Sequence, residues 1–167
     1  MIVSYIAPYT KNSKDFYAFN LGTVLFGGTP VSLLFSEVRE KSSLCYSIFA
    51  RSMKYEGLVW VSTNIDGKTK KQTLDAVRKQ FKRIVEKDYD PAILEMSKSM
   101  FINNSLTIDD DLDYLIDYHY AGIISDTYVT IDDYAKEIEK VTVDDVARVY
   151  QNFEEYLVYF LEGIKNE

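Results

Sequence analysis

An α+β fold, with a largely antiparallel sheet and helices packed on one of its faces, is what the order of apolar periodicities in this sequence predicts. Strand-like runs stand near both ends, at residues 2–7 and in EYLVYFLEG. Two further β-rich runs, CYSIFARSMKY and LVWVSTNID, are separated by Glu56 and Gly57 and read as an antiparallel hairpin. Most of the remaining sequence has helical period, and strands clustered apart from runs of helices give α+β order rather than alternating α/β order.

Each element has its own local reason. The first strand is ended by Pro8 and TKNSK. KDFYAFNLGTVLF places apolar residues at 16, 17, 21, 24 and 25 and predicts a helix buried on much of its surface, ended by Gly27 and Gly28. Thr29 then caps a second helix with Pro30 at its first position, where a missing N–H costs nothing. Val31, Leu34, Phe35 and Val38 form that helix's inner stripe, and Arg39 follows one turn beyond Phe35. After the hairpin, a long helix from about Lys68 to Glu86 carries Leu74, Val77, Phe81, Ile84 and Val85 on one face. DYDP breaks it, and Asp90-Pro91 starts another helix running to about Leu106. TIDDDLDYLIDYHYAGII is a helix with an acidic start, favourable at the positive end of the helix dipole. TIDDYAKEIEKV and TVDDVARVYQNF each open with a Thr-x-x-Asp cap. The whole of 1–167 reads as one domain without linker, repeat or low-complexity segment. Strand character from Ile2 onward suggests an element cut from something longer.

Composition removes several function classes. Hydrophobic residues make up 47% and charged residues 27% of 167, which is ordinary globular usage. A formal charge of −7 argues against nucleic acid or an anionic membrane as partner. KTKK, at Lys68 to Lys71, reads as a solvated helix start. One cysteine, Cys45, excludes an internal disulfide and suits a reducing compartment; with no long apolar run and no signal-peptide pattern, the expected location is the cytoplasm.

Complete catalytic constellations are missing. The one histidine, His119, sits mid-helix among Asp117, Tyr118 and Tyr120 and reads as structural. Zinc patterns with two histidines are therefore absent, and no metal site is expected in this chain. The run Asp109 to Asp113 fails as a calcium loop because Tyr114 stands where the turn glycine is needed. No Gly-x-Ser-x-Gly elbow occurs, LFGGTP lacks the lysine and spacing of a phosphate loop, and Cys45 reads as a small buried hydrophobe.

One stretch, LFGGTPVSLLFSEVREKSSLCYSIFARSMKYEGLVWVSTNI, carries a resemblance. In order it supplies Gly27, Gly28, Ser32, Leu34, Phe35, Arg39, Glu40, Lys41, Leu44, Tyr46 and Gly57. The pattern is similar to the second, non-zinc half of the pitrilysin/insulinase-type zinc metallopeptidases, which include the processing peptidases, and the downstream helices fit too. One departure is KSSLCY, where many relatives have a glycine before the leucine or tyrosine and this chain has Ser43 and Cys45.

The resemblance implies half of a metallopeptidase clamshell, with the zinc held by the other, N-terminal half or by a paralogous subunit, and a peptide in the closed chamber. It implies that Arg39 and Tyr46 bind that substrate, Tyr46 donating its phenol hydrogen to the oxyanion as the scissile amide is attacked. Arginine keeps its proton and can hold peptide carbonyls with its planar fork. The fragment alone is then expected to be inactive, and whether the parent is an enzyme turns on residues outside this chain. Two alternatives stand beside it: a catalytically silent pseudo-peptidase subunit partnering an active zinc-bearing paralogue, and a non-proteolytic interaction domain. Local readings remain as well. Arg39 suits a helix C-terminus or a pair with Glu37 or Glu40, and Tyr46 suits a strand; the hairpin strand Leu58 to Asp66 could offer an edge to an extended peptide, with ordinary sheet pairing the default for that edge.

Overall fold

The computed structural model describes residues 1–6, 15–53, 56–106, 112–124 and 129–163. Among them are four strands, β1 (Ile2–Ile6), β2 (Ser47–Met53), β3 (Leu58–Asn64) and β4 (Glu154–Tyr159). They form one sheet in the order β2-β3-β1-β4 with every pairing antiparallel. β2 and β3 form the predicted antiparallel hairpin, with Phe49 opposite Ser62 and Arg51 opposite Trp60. Gly57 takes φ 68°, the left-handed conformation that a residue without Cβ adopts freely in such a turn. Because β3 also pairs with β1, it is interior, so ordinary sheet pairing takes the edge that could have received a peptide. Among the described strands the sheet edges are β2 and β4.

Period-2 alternation divides the sheet into two unlike faces. Val3, Tyr5, Ile48, Ala50, Val59 and Val61 are buried under the helices. On the opposite side Ile2, Ile6, Phe49, Met53, Leu157 and Tyr159 are all more than a third exposed. Phe49 and Trp60 meet edge-to-face there with centroids 5.6 Å apart. The α+β expectation is met, with helices on one face.

Helix α1 (Asp15–Thr23) runs directly into a wider π-helical segment, π1 (Val24–Gly28). A second π-helical segment, π2 (Leu34–Lys41), follows. Then come α2 (Lys70–Glu86), α3 (Pro91–Leu106), α4 (Leu112–Ile124), α5 (Ile131–Lys140) and α6 (Val143–Tyr150). The core is aromatic: Tyr5 stacks on Phe81 at 4.1 Å, Phe81 meets Tyr150 at 5.6 Å, and Phe19 stacks on Phe153 at 5.7 Å. Tyr150 Oη is buried but satisfied, 3.0 Å from Thr23 Oγ1 and 3.3 Å from Phe19 O.

Local signals were accurate where chemistry is local. Thr130 Oγ1 accepts from Asp133 N, and Thr142 with Asp145 forms a full capping box. Asp90 Oδ1 accepts from Ala92 N at the start of α3. The expected cap at Thr29 is different. Ser32 N donates to Thr29 O at 3.1 Å, so Thr29–Ser32 is a turn with Pro30 in its second position, and the helix begins later. Thr29 Oγ1 is buried with no partner among the described residues. In the first helix Phe19 and Phe26 are fully buried while Phe16 and Tyr17 are only half-buried. Asp109 to Asp111 lie outside the described residues.

Gly27 fixes how π1 sits on the sheet. A Cβ there would stand 2.6 Å from Ala50 N and 2.8 Å from Ala50 Cβ, so the helix backbone touches β2 directly. Gly27→Ala should lower the unfolding free energy by about 2 kcal/mol or more, the scale of overpacking against backbone that cannot yield. Gly28→Ala, whose Cβ would meet its nearest neighbours at 3.4–3.6 Å, serves as the control. Urea denaturation of both variants checks this, and equal losses would remove the role given to the close approach.

Arg78 grips Glu155 with two bonds, Nε to Oε2 at 2.8 Å and Nη2 to Oε1 at 2.6 Å, joining α2 to the edge strand β4. These hydrogen bonds hold the Glu155 carboxyl below its usual value, with burial opposing and the Arg78 charge assisting. A depressed folded value means the contribution is present above the unfolded value and fades as pH falls through the folded one. Both partners are partly exposed, so Glu155→Gln should cost only about 0.5–1 kcal/mol at pH 7. The gap from wild type should close as the melting series is taken below pH 4.5, the unfolded reference; a gap that persists in acid would show the pair is not its cause.

Candidate functional site

Segment π2 ends in a turn that binds the start of β2. Ser43 takes φ 50°, a left-handed conformation that disfavours a side chain, at one of the positions where the similar family often has glycine. Ser43 N donates to Arg39 O and Leu44 N to Val38 O, both at 3.1 Å, closing the wide helical end. Ser42 Oγ donates to Glu37 O. Leu44 is buried, and its carbonyl accepts from Thr69 Oγ1 at 3.4 Å and Thr73 Oγ1 at 3.5 Å. An apolar anchor and two threonines at the start of α2 therefore hold the turn.

Arg39 and Tyr46 are joined across this turn, though not side chain to side chain. Arg39 Nε donates to the backbone carbonyl of Tyr46 at 3.1 Å. Its guanidinium lies over the Phe35 ring, 4.4 Å from the centroid, and Nη1 stands 3.4 Å from Glu40 Oε1. Glu37, the other local carboxylate considered for Arg39, is taken by Lys41 at 2.7 Å and Arg83 at 3.6 Å. Tyr46 N donates to Asn64 O at 3.1 Å, so its backbone is fixed on both sides, while its side chain is 90% exposed. Tyr46 thus combines a main chain held on both sides with a ring in solvent.

Beside it an open cavity of about 440 Å³ is lined by Ser43, Leu44, Cys45, Tyr46, Asn64 and Asp66, with Ile65 and Thr69 completing it. Cys45 is half-buried, and burial pushes its thiol up, against a hydrogen bond with Thr63 and the charge of Arg39. That favours the thiol over the nucleophilic thiolate. Asp66 Oδ1 accepts from Lys68 N and starts the short 3₁₀ turn Gly67–Thr69; Lys68 and Lys71 are solvated, as KTKK predicted, while Lys70 is exposed but sets Nζ 3.8 Å from the centroid of the Phe160 ring.

The described residues do not fit a zinc ion. No group of three or more His, Cys, Asp or Glu converges among them. His119 lies on α4 with its ring edge-on to Tyr118 at 5.7 Å, and Cys45 is on the turn before β2. Sequence reasoning missed two supports of the site. Phe35 is half-buried beneath the guanidinium rather than sealed in the core, a role its four-residue spacing from Arg39 signals. Thr69 and Thr73 hold the turn from a distance and carry no such signal. No helix among the described residues is long and apolar enough to cross a membrane.

Comparison with known proteins agrees with this geometry. The family described as "Peptidase M16 inactive domain" matches residues 1–101. A curated relative from Bacillus subtilis (strain 168), named "Probable inactive metalloprotease YmfF", is 28% identical over 161 residues, 96% of this chain and 38% of its own length. Among solved structures, a conserved protein from Enterococcus faecalis V583 is 25% identical with a TM-score of 0.90, over 99% of this chain and 39% of that one. A peptidase M16 inactive domain from Pseudomonas fluorescens shares the fold at 18% identity and a TM-score of 0.75, over 91% of this chain and 39% of that one. The chain thus spans about two fifths of the length of these relatives. With the helix-and-turn pattern, the one-sided sheet and the family match over most of its length in agreement, this chain belongs to the peptidase M16 family, as an inactive-type domain.

Proposed function

We propose that this chain, residues 1–167, is the substrate-contacting, non-zinc half of a peptidase that encloses a peptide between two halves. The observation that carries the reading is Tyr46: an exposed phenol on a backbone clamped by Arg39 and Asn64, at the wall of an open cavity. In this role the Tyr46 hydroxyl donates a hydrogen bond to the carbonyl oxygen of the peptide as negative charge develops there. Arg39 uses Nε to hold Tyr46 in place, and its outer nitrogens hold a second peptide carbonyl. The Phe35 ring beneath keeps the guanidinium flat and restricts its rotamers. Neither residue handles zinc. In this reading the zinc belongs to the N-terminal half of the parent or to a paralogous subunit, and this domain alone is inactive.

The uncovered sheet face supports a second body. Phe49, Trp60, Met53, Leu157 and Tyr159 make an apolar surface on the side away from the helices, which suits an interface within a larger protein. A half-buried free cysteine is compatible with a reducing, cytoplasmic setting.

A second reading is favoured by the name of the Bacillus subtilis relative, an inactive metalloprotease. Here the parent is a silent subunit, and Arg39 and Tyr46 bind peptide for an active paralogue.

Zinc per chain in the intact parent, measured by elemental analysis after gel filtration, separates the two. One zinc with peptide cleavage supports the first reading. No zinc, together with a paralogue that turns over only in complex with this protein, supports the second. In whichever assembly cleaves peptide, Tyr46→Phe should lower kcat/KM by about ten- to a thousandfold, the scale of one oxyanion donor. Because the phenol is exposed, its unfolding free energy should stay within about 0.5 kcal/mol of wild type. A kinetic loss under about threefold would overturn the role of Tyr46 as an oxyanion donor. Arg39→Ala should lower both activity and stability, the latter by about 1 kcal/mol for the lost bond to Tyr46 O.

A further inference from the structure

Helix α4 carries a stripe of large apolar side chains that nothing among the described residues covers. Leu112, Ile116, Tyr120, Ile123 and Ile124 are 62–71% exposed and stand at i, i+4, i+8, i+11 and i+12, one face of the helix. Its half-buried side chains, Leu115, Tyr118 and His119, lie to the other side, and Tyr118 Oη donates to Val129 O just before α5. Asp113 and Asp117 run along one flank of the stripe, both exposed. Charge is concentrated here. Eight aspartates and no lysine or arginine stand between Thr107 and Ala135, while the whole chain carries −7, so the remainder is close to neutral.

An exposed stripe of this kind marks an interaction surface, and its spacing is that of helix-on-helix recognition. We propose that α4 docks an amphipathic helix of a separate protein, one with an apolar stripe flanked by lysine or arginine. A second copy of this chain is the poorer occupant, because antiparallel pairing would set the acidic flanks of two α4 helices against each other. The parent's own other half has the apolar sheet face to cover. α4 is instead tied to the start of α5, whose contacts are with α3 and α1 in the helical layer. Setting aside the other half rests on the two-half reading proposed above, but α4 carries neither Arg39 nor Tyr46, so a failed peptidase assay leaves the docking proposal standing.

The test uses the intact parent and a labelled synthetic helix of 18 residues with leucines at i, i+3, i+4 and i+7 and lysines elsewhere, followed by fluorescence anisotropy. A matched peptide with glutamate in place of lysine is the control. The lysine peptide should bind at least about tenfold more tightly than its glutamate counterpart, as charge complementarity requires. Ile116→Asp should weaken that binding at least about tenfold by placing a charge at the centre of the contact. Asp113→Lys combined with Asp117→Lys should reverse the preference between the two peptides. All three positions are exposed, and an unchanged melting temperature confirms that the variants fold. Any of four results overturns the proposal: no binding, which means the other half already covers α4; equal binding of both peptides; binding that Ile116→Asp leaves intact; or self-association that Ile116→Asp abolishes, which identifies a second copy as the occupant.

Discussion

The direct contact between the backbone of Gly27 and that of Ala50 sets the distances on which the site depends. Helix layers ordinarily stand off a sheet by the depth of the side chains between them. Here Gly27 has no side chain, and π1 sinks until it touches β2. Leu34 fits against the same spot, since its Cδ1 would lie 2.9 Å from a Cβ at Gly27, so π2 is drawn down as well. At the end of π2, Arg39 reaches the carbonyl of Tyr46, just before β2, through one side chain.

The two π-helical segments belong to the same geometry. A wider helix is a poorer hydrogen-bonded helix and persists where tertiary packing over-determines it, often at functional positions. Leu34 and Val38 are fully buried while Glu37, Lys41 and Arg39 face outward. The wide winding ends in a left-handed Ser43 and a buried Leu44, and the strain of Ser43 is offset by Leu44's burial and the bonds from Thr69 and Thr73. What results is a main chain held on both sides under an exposed phenol. In the proposed role this narrows the search for orientation to the side chain alone, and a donor that must search less keeps more of what it contributes to a transition state.

How much of this the sequence showed depends on how local each cause is. The caps at Thr130 and Thr142, the Asp90-Pro91 start and the β2–β3 hairpin are written in residues a few positions apart, and all were legible. Sheet order was not, because β1 and β4, at opposite ends of the described chain, pair from Ile2↔Tyr159 to Ile6↔Glu154, and nothing in IVSYI announces two neighbours rather than one. The Thr29 cap failed because a turn and a helix start share their first residues, and here Ser32 N closes a turn on Thr29 O. Arg39 and Tyr46 stood out only through the family pattern. Even then the pattern did not reveal that they meet through a backbone carbonyl, which makes Arg39 a positioning residue for Tyr46 as well as a binding candidate.

Two uncovered apolar surfaces remain, and they differ in kind. On the sheet face the exposed residues come from four strands and adjoin the β2 edge, so whatever seats there also lies near Tyr46. The α4 stripe is a single helix face in a strongly acidic stretch, tied to the helical layer by Tyr118. A flat sheet face is suited to a large body bound permanently, while a narrow stripe with one charged flank suits a reversible helix partner whose on-rate the charge raises. Under the two proposals one domain serves two contacts without conflict: the permanent one would complete the chamber, and the reversible one would be free to decide where, or beside what, the assembly works.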